Sequence, residues 1–328
     1  MRRLDIDFLR MIAIVLVVVC HTFDVAFAAV GVQIFFLLSG FLLANFSENF
    51  SSKMNFLVHR FFRLFPLAIL MCLIFFFRFT NVKWFVLNIL LLQTLFPSFE
   101  SFPGGWSISY EWLFSLIIAT GLFNNKYFFI IFKYLTFFCL LMIVAQEAKI
   151  IQLSLEGINF STFTMFLANL IFFIAGIVIK NKKPKKIKNS FLFVIILISI
   201  FLGINFPDIV YLCWFFLVIS LASIVINNAK LVKFLEKCRF ASIVSNFGKF
   251  TYGIFCSHFI IMISLTNVTF KGLQLKEFLR VELGITGLVI HFLIVLFVAY
   301  TCGALSYHYL EKPSLRLARW LNTKTIKC

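Results

Sequence analysis

Three ionisable residues fall within one long apolar run near the start of the chain: Arg10, His21 and Asp24. In a helix, a spacing of eleven residues is about three turns plus 20°, so Arg10 and His21 share a face about 16–17 Å apart. Asp24 follows His21 by three residues, close enough to accept a hydrogen bond from the imidazole. This pattern suits a general base oriented by a carboxylate, with a cation at a distance to hold an anionic group. The plain alternative is that Arg10 snorkels to an interface while His21 bonds a neighbouring helix. A second set is Arg60 and Arg63 in His59-Arg60-Phe61-Phe62-Arg63-Leu64-Phe65-Pro66. Two guanidiniums three residues apart make a fork for phosphate oxygens, or serve only as topology anchors. A third is Trp106-Ser107-Ile108-Ser109-Tyr110-Glu111-Trp112, after the turn Pro103-Gly104-Gly105. Ser107 is the expected N-cap, and Glu111, about one turn in, is expected to face a cavity. The two tryptophans read as interfacial anchors, and Ser39-Gly40 as a site of close helix packing. His258 reads as a packing hydrogen bond, and Pro313 as the end of the last helix.

The elements that must carry these residues are membrane helices. Hydrophobic residues make up 62% of the 328, charged residues 13%, and the mean hydropathy is +1.02. A soluble domain of this size needs far more polar surface. Apolar stretches fall near 8–28, 31–46, 61–79, 84–97, 106–123, 127–145, 162–180, 190–206, 209–227, 250–268 and 283–307. The piece 84–97 is the shortest and reads as re-entrant or interfacial. Removing it leaves about ten transmembrane helices in one all-α membrane domain covering 1–328. Both termini and the 180–188 lysine run then face the cytoplasm, with 24 of the 30 Lys and Arg inside and six outside. The net charge of +17 is therefore assigned to anionic lipid headgroups and not to nucleic acid. The eight cysteines show no CxxC, six lie in apolar stretches, and no metal site is expected. Residues 1–28 also have the outline of a signal peptide ending at Ala26-Phe27-Ala28. The charges at Asp5, Asp7, Arg10 and Asp24 argue for a retained helix.

The order of these pieces resembles the acyltransferase 3 family, integral-membrane O-acyltransferases of bacterial surface glycans. The matching residues are Leu4-Asp5-Ile6-Asp7-Phe8-Leu9-Arg10, Arg10 with His21 eleven residues on, GVQIFFLLSGFLL at 31–43, and Arg60 with Arg63. WSISYEW at 106–112, FGKFTYGIFCSHF at 247–259 and SYHYLEKP at 306–313 complete the series. Met11 stands where the family commonly has Gly, and Ser257 where it often has Trp before the late His. The resemblance implies acetyl-CoA as a cytoplasmic acyl donor, its phosphates held by Arg10, Arg60 and Arg63. It implies His21 as the base on an acceptor hydroxyl, Asp24 as its orienting group, and Glu111 as a contact for the acceptor sugar. Fifteen residues follow Pro313, too few for the soluble domain that some relatives carry, which favours a lipid-linked glycan or surface polysaccharide as acceptor. The location implied is the plasma (inner) membrane. The competing reading is a non-enzymatic glycan-lipid flippase or transporter, which needs no buried base and often shows an inverted repeat. None is visible in the sequence. A third reading is a structural partner in a larger membrane complex, its buried polar groups joining helices.

Overall fold

The computed structural model describes residues 3–25, 30–44, 50–96, 100–120, 160–181, 189–205, 210–226, 228–237, 240–270 and 273–325, with single positions 130, 134 and 138. The expected span 127–145 and the greater part of the 180–188 run lie outside them. The described chain is helical apart from one two-residue hairpin, Thr269–Phe270 with Leu273–Gln274. In order the helices are α1 (Leu4–Phe23), α2 (Val30–Leu43), α3 (Phe50–Ile74), α4 (Val82–Ile89) and α5 (Gly105–Thr120). They continue with α6 (Phe160–Asn181), α7 (Asn189–Asn205), α8 (Val210–Val225), α9 (Ala229–Lys237), α10 (Ala241–Thr266), α11 (Leu275–Ser306) and α12 (Lys312–Thr325).

Four of these, Leu4–Phe23, Lys53–Ile74, Ala241–Leu265 and Leu275–Asn322, are long and apolar enough to cross a membrane. A bent pair, Leu212–Val225 with Ala229–Lys237, adds a fifth. The expectation of about ten spans therefore meets four or five among the described residues. Val30–Leu43, Phe166–Lys180 and Phe191–Gly203 are apolar but shorter.

The segment 84–97 is not one spanning helix. Helix α4 has eight residues, about 12 Å of rise, well short of a hydrocarbon core of about 30 Å. Leu91 then takes a left-handed conformation (φ 55°), and a single 3₁₀ turn follows at Gln93–Leu95. Buried polar side chains tie this fold-back to α5. Gln93 Nε2 donates to Gly105 O, Thr94 and Ser109 share a hydroxyl bond of 2.6 Å, and Ser109 donates to Leu91 O. An apolar environment without water leaves such groups no other partners, so they pin the segment in place.

The chain divides into two compact units, Met1–Val32 with Asn227–Pro313, and Gln33–Ile226 with Ser314–Cys328. In the first, α10 runs parallel to α1 and α11 returns antiparallel against α10. Helix α11 breaks at Gly284 (φ 59°), separating the charged start Leu275–Leu283 from the apolar remainder. In the second unit α2 and α6 pack backbone to backbone. A Cβ on Gly40 would lie 1.8 Å from Phe173 O, and one on Gly176 2.0 Å from Leu37 O. The small residue expected to permit close packing does so at Gly40.

Two details of the last helices depart from expectation. Pro313 does not end the helix. A π turn at Tyr307–Glu311 precedes it, and the helical run continues through Pro313 into α12. Within α3, Pro66 withdraws the N–H that would bond Phe62 O. Ser314 Oγ donates to that carbonyl, and Asn322 Nδ2 bonds Asn55 O at 3.2 Å, so α12 lies antiparallel along α3.

Candidate active site

The first unit carries His21. Helix α1 starts with acidic residues in its first turn, Asp5 and Asp7, favoured by the positive end of the helix dipole. Asp5 pairs with Arg3 at 2.6 Å, and Asp7 with Arg10 at 3.6 Å. Asp7 packs so tightly on α10 that a Cβ at Gly248 would meet its carboxylate at 2.4 Å. Arg10 is therefore partly engaged by a buried carboxylate on its own helix. The helix is unbroken from Arg10 to His21, so the expected axial spacing holds. It ends at Phe23, however, with Asp24 left-handed (φ 56°) and its N–H on Cys20 O. His21 thus occupies the last turn of a helix of about 30 Å, not its middle.

Asp24 makes no hydrogen bond to the imidazole among the described residues, although its charge acts on His21. Its carboxylate, 73% exposed, pairs with Lys276 Nζ at 2.7 Å. The ring of His21, half-buried, instead lies against α10. His258 is 5.5 Å away between centroids, tilted by 34°, and Phe259 is 4.4 Å away. His258 is fully buried and pairs Nδ1 with Phe255 O at 2.5 Å. A carbonyl can only accept, so Nδ1 carries the proton and Nε2 keeps its lone pair. Nε2 has no hydrogen-bond partner among the described residues.

The second unit carries Arg60, Arg63 and Glu111. Helix α3 begins at Phe50, eleven residues before the apolar stretch in the sequence, so Arg60 stands about 15 Å along the helix. Arg60 Nη2 meets Glu111 Oε1 at 2.7 Å, with side chains 8% and 23% exposed. Arg60 Nε also bonds Ser115 Oγ at 3.0 Å, and Ser39 Oγ donates to Glu111 Oε1 at 3.1 Å. Glu111, expected to face a cavity, is thus the counter-ion of one of these arginines. The antiparallel run of α3 and α5 brings the two together mid-helix, with Trp112 edge-on to Phe65 at 5.0 Å. Helix α5 also begins three residues earlier than an N-cap at Ser107 would give. Ser107 Oγ donates back to Gly104 O and caps nothing.

Arg63 differs from Arg60. It is half-buried, and among the described residues it forms no ion pair or hydrogen bond, while its charge acts on Glu111 and His59. Arg319 on α12 also acts on His59. A cationic stripe therefore lies where α12 runs along α3.

Of the residues in these arrangements, Ser115 escaped sequence reasoning, while Ser39 and His258 were read only as packing groups. Ser115 follows Glu111 by four residues, a spacing that signals one helix face. Ser39 and His258 carry no such local signal, because their partners lie on distant segments. Among the described residues, no group of three or more His, Cys, Asp or Glu could share a metal ion.

No curated relative and no solved structure matches the chain. The acyltransferase 3 family, described as an acyltransferase domain, matches residues 3–308, nearly the whole length. Matched over nearly its whole length, this helical membrane chain belongs to the acyltransferase 3 family of membrane acyltransferases.

Proposed function

We propose that this protein is an O-acetyltransferase of the plasma (inner) membrane. It takes acetyl from cytoplasmic acetyl-CoA and places it on a hydroxyl of a lipid-linked glycan or surface polysaccharide. The observation that carries this reading is His21, a half-buried imidazole in the last turn of a helix long and apolar enough to cross a membrane. An ionisable side chain at such a place is kept for chemistry more often than for packing. The proposed topology has about ten spans with both termini and the 180–188 run cytoplasmic, as the distribution of Lys and Arg favours. In that orientation His21 lies near the outer end of α1. An acceptor hydroxyl would approach from the outer side, and the thioester would arrive on the long arm of CoA from within.

The reaction needs little besides positioning and a base. The acceptor oxygen attacks the thioester carbonyl, its proton passes to His21, the C–S bond breaks, and the thiolate takes up the proton. Arg63 is the proposed contact for CoA phosphates on α3, because its guanidinium is uncommitted. Arg60 is proposed to hold Glu111 in place, and Arg10 to contribute positive charge on α1. Glu111 Oε2, bonded to no described residue, is proposed to contact the acceptor sugar. Asp24, with its carboxylate on Lys276, is given no part in holding the base. No metal enters the scheme.

The test is acetyl transfer from radiolabelled acetyl-CoA into the glycolipid fraction of membranes containing the protein. His21→Ala should lower it by about 10²- to 10⁴-fold, the usual worth of a positioned base. CoA binding should persist. Unchanged transfer in that variant would return the flippase or transporter reading.

A further inference from the structure

We infer that His258 is the positioning partner of His21: its Nε2 lone pair receives the N–H of the His21 imidazole and fixes which nitrogen of His21 is free to take the substrate proton. The inference rests on His21 being the base of the proposed reaction. It starts from a shortage. A neutral imidazole that removes a proton through one nitrogen presents an N–H at the other, and a buried N–H needs an acceptor. The sequence offered Asp24 for this, but Asp24 is committed to Lys276.

Helix α10 supplies the acceptor. His258 is locked in one tautomer by Phe255 O, three residues earlier on the same helix. That lock points the N–H at backbone and leaves Nε2 as a lone pair in a fully buried ring. A buried acceptor left empty costs about 1–3 kcal/mol, so native structures seldom keep one without use. Among the described residues, the imidazole beside it is that of His21, 5.5 Å away between centroids. Both rings rest on Phe259 at 4.4 Å, which holds them side by side. At this separation a turn of the His21 ring brings the facing nitrogens within hydrogen-bond reach. Bonds of this type are often long before substrate is bound. The arrangement copies the logic of a base held by a third group, with a lone pair on nitrogen in place of a carboxylate.

Two amides separate the roles of the two nitrogens. His258→Asn can keep an N–H for Phe255 O but has nothing at the Nε2 position. His258→Gln places a carbonyl oxygen there, which accepts a hydrogen bond and takes no proton in this pH range. Full-length variants in membranes are assayed with radiolabelled acetyl-CoA over a range of concentrations. Asn should lower kcat by about ten- to a hundredfold, the loss of one orienting hydrogen bond to a charged group. KM for acetyl-CoA should stay unchanged, and Gln should recover most of the rate. Equal losses in Asn and Gln, or no loss in Asn, overturn the inference. If Asn fails to insert, Gln decides alone: near-normal kcat supports the inference and a tenfold loss overturns it. The outcome for His21→Ala is separate. Unchanged transfer there defeats the assignment of His21 as base, whatever the two amides do.

Discussion

The two buried polar clusters of this protein are opposites. In the α3–α5 cluster every charge has an answer: Arg60 meets Glu111 and Ser115, and Glu111 meets Ser39 as well. In the α1–α10 cluster the imidazoles of His21 and His258 lie side by side, and Nε2 of His258 is bonded to nothing described. A satisfied pair holds helices in register, because breaking it strands a charge. An unsatisfied lone pair stabilises nothing by itself and is available to a substrate or to a neighbouring ring. The two arginines of α3, read in the sequence as a fork for phosphate, therefore differ: Arg60 is paired, and Arg63 forms no ion pair or hydrogen bond among the described residues.

The strongest way to break this contrast is to remove one member of the satisfied pair. Arg60→Ala or Glu111→Ala should destabilise the protein by about 3–5 kcal/mol, the usual cost of leaving a buried charge alone. The double variant should lose clearly less than the two single losses combined, a coupling readable by thermal unfolding in detergent. Arg63→Ala should leave stability within about 0.5 kcal/mol while weakening CoA binding. Equal destabilisation by Arg60→Ala and Arg63→Ala would erase the division between them.

A smaller effect is expected where α12 meets α3. Ser314→Ala leaves Phe62 O, already deprived by Pro66, without a donor, and should cost about 1–3 kcal/mol. Pro66→Ala in the same background should return part of that loss, because the helix regains its own N–H. Thermal unfolding of the two variants checks this, and additivity would refute it. The smallest effect belongs to Asp24. Its pair with Lys276 is largely exposed, so Asp24→Asn should change stability by about 0–1 kcal/mol and leave acetyl transfer near normal. A hundredfold loss of transfer in Asp24→Asn would restore the carboxylate as the group that orients His21.

Much of this was legible in local spacing. The eleven residues between Arg10 and His21 translate directly into one helix face because α1 runs unbroken between them. The shortness of 84–97 marked it as something other than a span, and α4 with its fold-back agrees. Spacing failed wherever a partner was chosen across helices. Asp24 is three residues from His21 on paper, yet a left-handed cap hands its carboxylate to a lysine 252 residues away. Glu111 and Arg60 are separated by 51 residues, and only the antiparallel run of α3 and α5 turns two independent charges into one pair.

The amino-acid sequence alone determined that the chain is a helical membrane protein of the acyltransferase 3 type. Hydropathy, the order of motifs and the helical repeat are local properties, and they survive any arrangement of the helices. The tertiary structure decided which buried groups neutralise one another and which stay open. Hydrogen bonds and ion pairs depend on distances of a few ångströms between segments far apart in the chain. In a medium without water each group must find such a partner or remain exposed to whatever enters the site. Among the described residues, His258 Nε2 beside His21 is one such open group.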